Sequence, residues 1–136
     1  MRLESYDFVS GNALGKVQSL DFGDVRQKGH CQRTMVLRAF ADVEPSISNL
    51  TLYLESKGNW PAAEFGYYIH PSFQPKISPG SSQLSSHFTE MRDASSGSPY
   101  GIPVGMTGNS SDFIWLDVDL PSAQLGATSA NFRFVF

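Results

Sequence analysis

The sequence predicts an all-β fold, a two-sheet antiparallel β-sandwich made by one domain over residues 1–136. Three observations carry that prediction. Apolar residues alternate with period two in several separate stretches, most clearly in Phe113-Ile114-Trp115-Leu116-Asp117-Val118-Asp119-Leu120 and Asn131-Phe132-Arg133-Phe134-Val135-Phe136, which is the pattern of half-buried strands. No window keeps apolar residues at i, i+3, i+4 and i+7 for three turns without meeting proline, glycine or a β-branched cluster, so no long amphipathic helix is expected. The alternating stretches are separated by turn-forming residues, drawn from 12 Gly and 8 Pro together with many serines.

Taken in order, Val17 to Phe22 forms a first strand candidate that runs into Gly23. Thr34 to Val43 sets Met35, Leu37, Ala39 and Ala41 against Val36, Arg38 and Phe40, and Ile47 to Glu55 sets Leu50, Leu52 and Leu54 against Thr51, Tyr53 and Glu55. Phe65 to His70 and His87 to Met91 are shorter candidates. A helical turn is expected at most near Pro61-Ala62-Ala63-Glu64. In the closing pair, Ile114, Leu116, Val118 and Leu120 share one face, and so do Phe132, Phe134 and Phe136. Seven or eight strands of this kind suit an immunoglobulin-like or jelly-roll sandwich.

Two long loops rich in Gly, Pro and Ser interrupt the pattern, from Pro71 to Ser86 and from Arg92 to Asp112. Connections of that length carry function or lack fixed structure. The second embeds Tyr100, Ile102, Val104 and Met106 among its glycines. Apolar side chains in such a setting either fold back on their own sandwich as a cap or dock on a partner.

Composition narrows the classes of function. A chain of 136 residues can bury a sizeable core without staples, and the lone Cys31 leaves no internal disulfide. A net charge of -3 and a pI near 5.5 give no basic footprint for nucleic acid. Charged residues make up only 17%, less than the usual quarter, which suits a surface that is partly covered. Acidic side chains lie among Met1-Arg2-Leu3-Glu4-Ser5-Tyr6-Asp7, and no eighteen successive apolar residues occur, so neither a signal peptide nor a transmembrane segment is expected. A cytoplasmically made protein without a membrane partner is the expectation.

His30 and Cys31 are adjacent and would point to opposite faces of an extended chain, while His70 and His87 stand alone, so no metal set forms. Asp112, Asp117 and Asp119 have no EF-hand loop around them and read as solvated outer-face carboxylates rather than calcium ligands. No G-x-S-x-G elbow surrounds a serine, and no glycine-rich stretch opens a helix that could cradle phosphate. Glu64, Glu90 and Asp117 are not brought together by any pattern, so no carboxylate pair for glycoside hydrolysis is indicated. No catalytic residue, cofactor or metal is expected, and the chain is read as no enzyme. Asn49-Leu50-Thr51 and Asn109-Ser110-Ser111 match glycosylation acceptors by chance, the first within a strand.

The aromatic residues are more telling. Trp60 sits at a turn between Asn59 and Pro61, Tyr67 and Tyr68 straddle a strand, and Trp115 lies opposite Ile114 and Leu116. Either Trp115 faces outward or it joins a core and the aliphatic face is the one covered by something else. Both faces of the closing strands are partly apolar, so either arrangement leaves hydrophobic surface in need of cover.

Leu20-Asp21-Phe22-Gly23-Asp24-Val25, followed by Gly29 and by Val36-Leu37-Arg38-Ala39-Phe40, resembles the opening of immunoglobulin-like domains of the ASPM/SPD-2/Hydin type. That likeness covers about the first third of the chain, and it lacks the family's asparagine after the second strand and has a foreign loop from Arg92. It implies a β-sandwich acting as a structural or docking module, with no catalytic residue to carry over. In style the chain is also similar to small accessory proteins of tailed bacteriophage particles, which are compact, poor in cysteine and helix, and rich in Gly/Ser/Pro loops.

The expected function is therefore that of a non-enzymatic structural subunit of a larger assembly, a virion, acting in capsid decoration, as cement or as a connector. Its partners would be other protein subunits, further copies of itself or capsid and tail proteins, with Trp60, Tyr100, Ile102, Val104, Met106 and Phe136 filling a neighbour's surface. The alternative is a carbohydrate-binding or adhesion module in which Trp60, Tyr67, Tyr68 and Trp115 stack sugars and Asp117 or Asp119 accepts their hydroxyls.

Overall fold

A computed structural model of the chain describes residues 1–17, 31–41, 47, 49–56, 64–75, 77, 88–91, 101–120 and 131–135. These residues form strands and no helix: β1 (Arg2–Tyr6), β2 (Ala13–Val17), β3 (Cys31–Phe40), β4 (Leu50–Ser56), β5 (Glu64–His70), β6 (Thr89–Glu90), β7 (Ile102–Val104), β8 (Met106–Thr107), β9 (Ser110–Ser111), β10 (Phe113–Leu120) and β11 (Asn131–Val135). All pairings are antiparallel. An 8-stranded sheet runs β2-β1-β3-β10-β5-β6, with β9 beside β3 and β8 beside β9, and a 3-stranded sheet runs β11-β4-β7. The fold is the two-sheet sandwich that alternation predicts.

Register shows why these sequences bury one face. In the large sheet, Ile114 and Leu116 of β10 lie opposite Leu37 and Met35 of β3, while Ile114, Leu116 and Val118 lie opposite Ile69, Tyr67 and Phe65 of β5. In the small sheet, Leu50 and Leu52 face Val104 and Ile102 of β7, and Leu52 and Leu54 face Phe134 and Phe132 of β11. These two inner faces meet in one core, with Phe132 and Phe134 packed at its margin. The rings of Phe65 and Phe132 meet edge to face across it, 6.0 Å apart and inclined by 67°. Leu37, Leu52, Leu54 and Ile114 are fully buried, each contributing about 2 kcal/mol of hydrophobic stabilisation.

Several details depart from the sequence reading. Strand β1 was not expected, because Arg2-Leu3-Glu4-Ser5-Tyr6 has too few apolar residues to show alternation; pairing of Leu3 with Ala39 and Ser5 with Leu37 on β3 makes it a strand. Strand β2 meets the expected first strand only at Val17, and 18–22 lie outside the described residues. The supposed loop from Arg92 to Asp112 is, from 101 onward, strand β7 and the β8–β9 hairpin. That hairpin turns on Gly108-Asn109 with Gly108 at φ 63°, a positive value that only the primed two-residue turns require at this position. The helical turn placed at 61–64 falls on 61–63, outside the described residues, and Glu64 opens β5.

Candidate functional site

The large sheet has a second covered face. Period-two geometry puts Trp115 and Asp117 of β10 on the side away from the sandwich core, yet Trp115 is 0% exposed and Asp117 is buried. Cross-strand pairing sets Tyr6, Val36, Trp115 and Tyr68 in one row over β1, β3, β10 and β5. The segment after β5 folds back over that row. Phe73 stacks on Trp115 at 6.0 Å and 29°, and meets Phe113 edge on at 5.9 Å. Ile77 is buried with Val36 and Trp115, and Tyr6, Tyr68, Phe88 and Phe113 pack around them half-buried.

The polar groups in this layer have defined roles. Asp117 accepts a hydrogen bond from the Thr34 hydroxyl at 3.0 Å. The indole N–H of Trp115 meets no acceptor among the described residues. Arg38 of β3 lies over the rings of Phe113 and Phe40, 4.7 and 5.5 Å from their centroids. It also donates from Nε to the Ser111 carbonyl at 2.7 Å and from its terminal nitrogen to the Ser110 hydroxyl at 3.1 Å. Burial pushes the Tyr6 phenol above its ordinary pKa, with the Glu4 carboxylate adding to the shift and the Arg38 guanidinium opposing it. Ser111 is buried; its hydroxyl accepts from the Ala39 N–H at 2.8 Å and donates to the Asp112 carbonyl at 2.7 Å. These bonds fasten the β8–β9 hairpin to β3.

The residues singled out in the sequence do not converge. Ile102 and Val104 were expected to reach a partner; they are buried in their own sandwich because β7 pairs with β4, and Met106 packs against the same core half-buried. Trp60, Tyr100 and Phe136 lie outside the described residues. The proposed sugar platform is divided: Tyr67 packs toward the sandwich core and Tyr68 toward the opposite layer. Trp115, beneath Phe73, has no face left for a sugar, and Asp117 is not the solvated carboxylate expected. Asp119 lies opposite Gln32 and Glu64 in the sheet. Among the described residues, no group of three or more His, Cys, Asp or Glu is arranged to hold a metal, and no helix is long and apolar enough to cross a membrane.

What the sequence reading missed is the hairpin joining β1 and β2. Phe8 is 38% exposed, Val9 46% and Leu14 67%. The turn that presents them is tightly built. Asp7 Oδ1 accepts from the N–H groups of Val9 and Ser10 at 2.8 and 3.1 Å, the Asp7 carbonyl accepts from Gly11, and the Asp7 N–H donates to the Asn12 carbonyl. The two amide bonds hold the Asp7 carboxyl below its ordinary pKa. Phe73 packs against Gly11 from below, so the turn sits on the aromatic layer. The available signal was Phe8-Val9 placed inside a polar turn bounded by Asp7 and Ser10-Gly11-Asn12. Comparison with known proteins adds no relative: no family model, curated protein or solved structure matches the chain.

Proposed function

We propose that the chain is a non-enzymatic structural protein that binds other protein subunits in a larger assembly, a virion component of the capsid-decoration, cement or connector kind. The observation that carries this reading is the exposure of Phe8, Val9 and Leu14 on one hairpin at the edge of the large sheet. Phe8 and Val9 stand on a hydrogen-bonded turn, so little backbone freedom remains to be lost there on docking, and Leu14 adds its side chain from the adjoining strand β2. Burial by a neighbouring subunit returns the free energy of their hydration without any reaction. Trp60, Tyr100 and Phe136 remain candidates to extend the contact, whereas Ile102 and Val104 serve the scaffold. The virion is the assembly proposed because a helix-poor, cysteine-poor chain with Gly/Ser/Pro-rich connections is similar in style to accessory proteins of tailed bacteriophage particles.

The test begins with the genes flanking the coding sequence, which should encode capsid or tail proteins. Particles assembled from those proteins should carry the chain through a density gradient and resist heat better with it than without it. A Phe8→Ser, Val9→Ser, Leu14→Ser triple variant should stay folded and lose particle binding at least tenfold. Flanking genes of unrelated kind, or particles that neither bind the chain nor gain stability from it, would sink the reading.

A further inference from the structure

Strand β5 ends at His70, and the chain that follows is the strap whose Phe73 and Ile77 cover Trp115. The His70 ring stands at the base of that strap. Its Nδ1 lies 3.0 Å from the Ser72 backbone nitrogen and 3.4 Å from Gln74 Nε2, both donors, and 2.9 Å from the Ser72 carbonyl oxygen, an acceptor. A neutral imidazole with its proton on Nε2 accepts from the two donors. A proton on Nδ1 ends both of those bonds and leaves one, donated to the Ser72 carbonyl. The charge of one ring therefore decides how the strap is fastened.

The strap bears on the hairpin as well as on Trp115. Phe73 packs against Gly11, the glycine at φ 76° in the turn that presents Phe8 and Val9. Pro71 and Ser72 are exposed while Phe73 and Gln74 are half-buried, so water is at hand to replace any bond the strap gives up. Beneath the strap the Trp115 N–H has no acceptor, so cover alone keeps it from water.

We propose that His70 is a proton-operated latch: the neutral ring holds the strap closed, and the imidazolium loosens the strap and with it the seat of the docking hairpin. His70 acts through Ser72 and Phe73 and is a positioning residue. This rests on the reading of the hairpin as the contact for other subunits and adds the condition under which that contact is firm. Because the cation exchanges two accepted bonds for one donated bond, closure is favoured where an imidazole is neutral and weakened where it takes up its proton.

Among the described residues, few titratable or charged side chains surround His70. Tyr68, on the same strand, has its ring centroid 6.0 Å away. Phe113 stands opposite on β10; Asp112 precedes it, the Arg38 guanidinium lies 4.7 Å from its ring, and the Tyr6 ring lies 5.2 Å from it. On the turn that rests on Phe73, the Asp7 carboxylate is already bonded to the Val9 and Ser10 amides. Residues 71–75 carry no titratable group. Carboxyl, phenol and guanidinium groups do not ordinarily change charge where an imidazole does.

Hydrogen exchange of the purified full chain, followed by proton–nitrogen NMR, reads both ends of the latch. Between about pH 7.5 and about pH 5.5, protection of the Trp115 indole N–H, corrected for the intrinsic rate, should fall about fivefold to tenfold, the worth of one net hydrogen bond. The Gly11 amide should lose protection over the same interval. That interval stays above the ordinary carboxylate pKa of about 4, so Asp7 plays no part. His70→Asn, whose Oδ1 can accept from Ser72 but takes no proton, should keep the neutral behaviour at both ends. Nitrogen spectra of the wild type should show neutral His70 protonated on Nε2, a check that needs no variant. Neutral His70 protonated on Nδ1, equal protection at both ends, a loss that His70→Asn shares, or a Trp115 response without a Gly11 response overturns the proposal. Particle binding is a separate readout: a latch that works in a chain binding no particle defeats only the virion reading, and a chain that decorates particles without this pH response defeats only the latch.

Discussion

The ring of Phe73 fills the space that a Cβ on Gly11 would need, with Cδ1 2.8 Å and Cε1 2.9 Å from that position. Gly11 also lies at φ 76°, where an L side chain is strained. Turn and aromatic layer are thus fitted to each other across more than sixty residues of chain. Gly11→Ala should cost about 2 kcal/mol from strain and displacement together, measured by urea unfolding. Phe73→Ala should cost a similar amount, about 2 kcal/mol for a half-buried ring, and should shift Trp115 emission to the red as water reaches the indole. The two variants combined should cost less than their sum, because removing the ring removes the clash.

Trp115 itself offers a contrast between volume and polarity. Its ring is fully buried, and its N–H has no acceptor among the described residues, so the side chain contributes packing while carrying a desolvated donor. Trp115→Ala should cost about 4 kcal/mol or more by opening a cavity beneath Phe73. Trp115→Phe loses part of the volume but removes the donor, and should cost no more than about 1.5 kcal/mol. A Phe variant as damaging as the Ala variant would show that the N–H is engaged.

Thr34 and Asp117 form a cross-strand pair that links β3 to β10 through a carboxylate buried on the covered face. Thr34→Val keeps the shape and β-branching of the side chain but withdraws the donor, which should cost about 1.5 kcal/mol for a hydrogen bond to a charged group. Asp117→Ala should be worse than Thr34→Val, since the Thr34 hydroxyl would then also lack its acceptor. Thermal unfolding of both variants at neutral pH gives the order directly.

Strand identity was legible wherever burial itself follows period two. Leu50-Thr51-Leu52-Tyr53-Leu54 and Ile114 to Val118 alternate in sequence, and their Leu50, Leu52, Leu54, Ile114, Leu116 and Val118 make the core. Alternation carries no signal where position in the sheet, not side-chain pattern, decides the outcome. Arg2 to Tyr6 is a strand because β3 offers it an edge, and Ile102 to Val104 is a strand because β4 does, although Gly101 and Pro103 read as loop. Trp115 shows the same limit for the site. Alternation puts it away from the core, but no local pattern tells that Phe73 and Ile77 return to cover that face. The exposed hairpin gives no periodic signal because Phe8, Val9 and Leu14 form no periodic set; Phe8 and Val9 stand on the turn built by Asp7 and Leu14 on the strand that follows it.

That turn should respond to acid in a definite direction. Asp7 has a lowered pKa in the folded chain because its carboxylate accepts two backbone N–H bonds, so the unfolded chain binds its proton more readily. Its contribution is fully present above the ordinary carboxylate pKa of about 4 and is lost as pH falls through the lower folded value. Carbon-detected titration of Asp7 should give a pKa below the ordinary aspartate value. Over the same interval the amides of Val9 and Ser10 should lose protection from hydrogen exchange, and in Asp7→Ala they should be unprotected at every pH. An Asp7 carboxyl that titrates at or above the ordinary aspartate value would contradict the geometry.

Ser111 makes three hydrogen bonds from a buried position. Its hydroxyl satisfies the buried Ala39 N–H and the Asp112 carbonyl, and its own carbonyl accepts from Arg38. Ser111→Ala leaves the Ala39 N–H desolvated with no substitute nearby, a penalty of about 2 kcal/mol, whereas Ser111→Thr can keep the bond if its methyl is accommodated. Because β9 meets β3 through a short attachment, Phe40 opposite Ser110, the Arg38 bonds to Ser110 and Ser111, and the adjoining bond from the Ala41 N–H to the Asn109 carbonyl, the loss should be local first. Amides of 106–111 should exchange faster in the Ser111→Ala variant before global stability accounts for it. Arg38→Lys, which keeps the charge but gives up the planar stack on Phe113 and the second donor to Ser110, should produce the same pattern more weakly. If both variants instead lower every amide's protection equally, the hairpin is part of the global folding unit and the Ser111 bonds act on the whole sandwich rather than on its β8–β9 attachment.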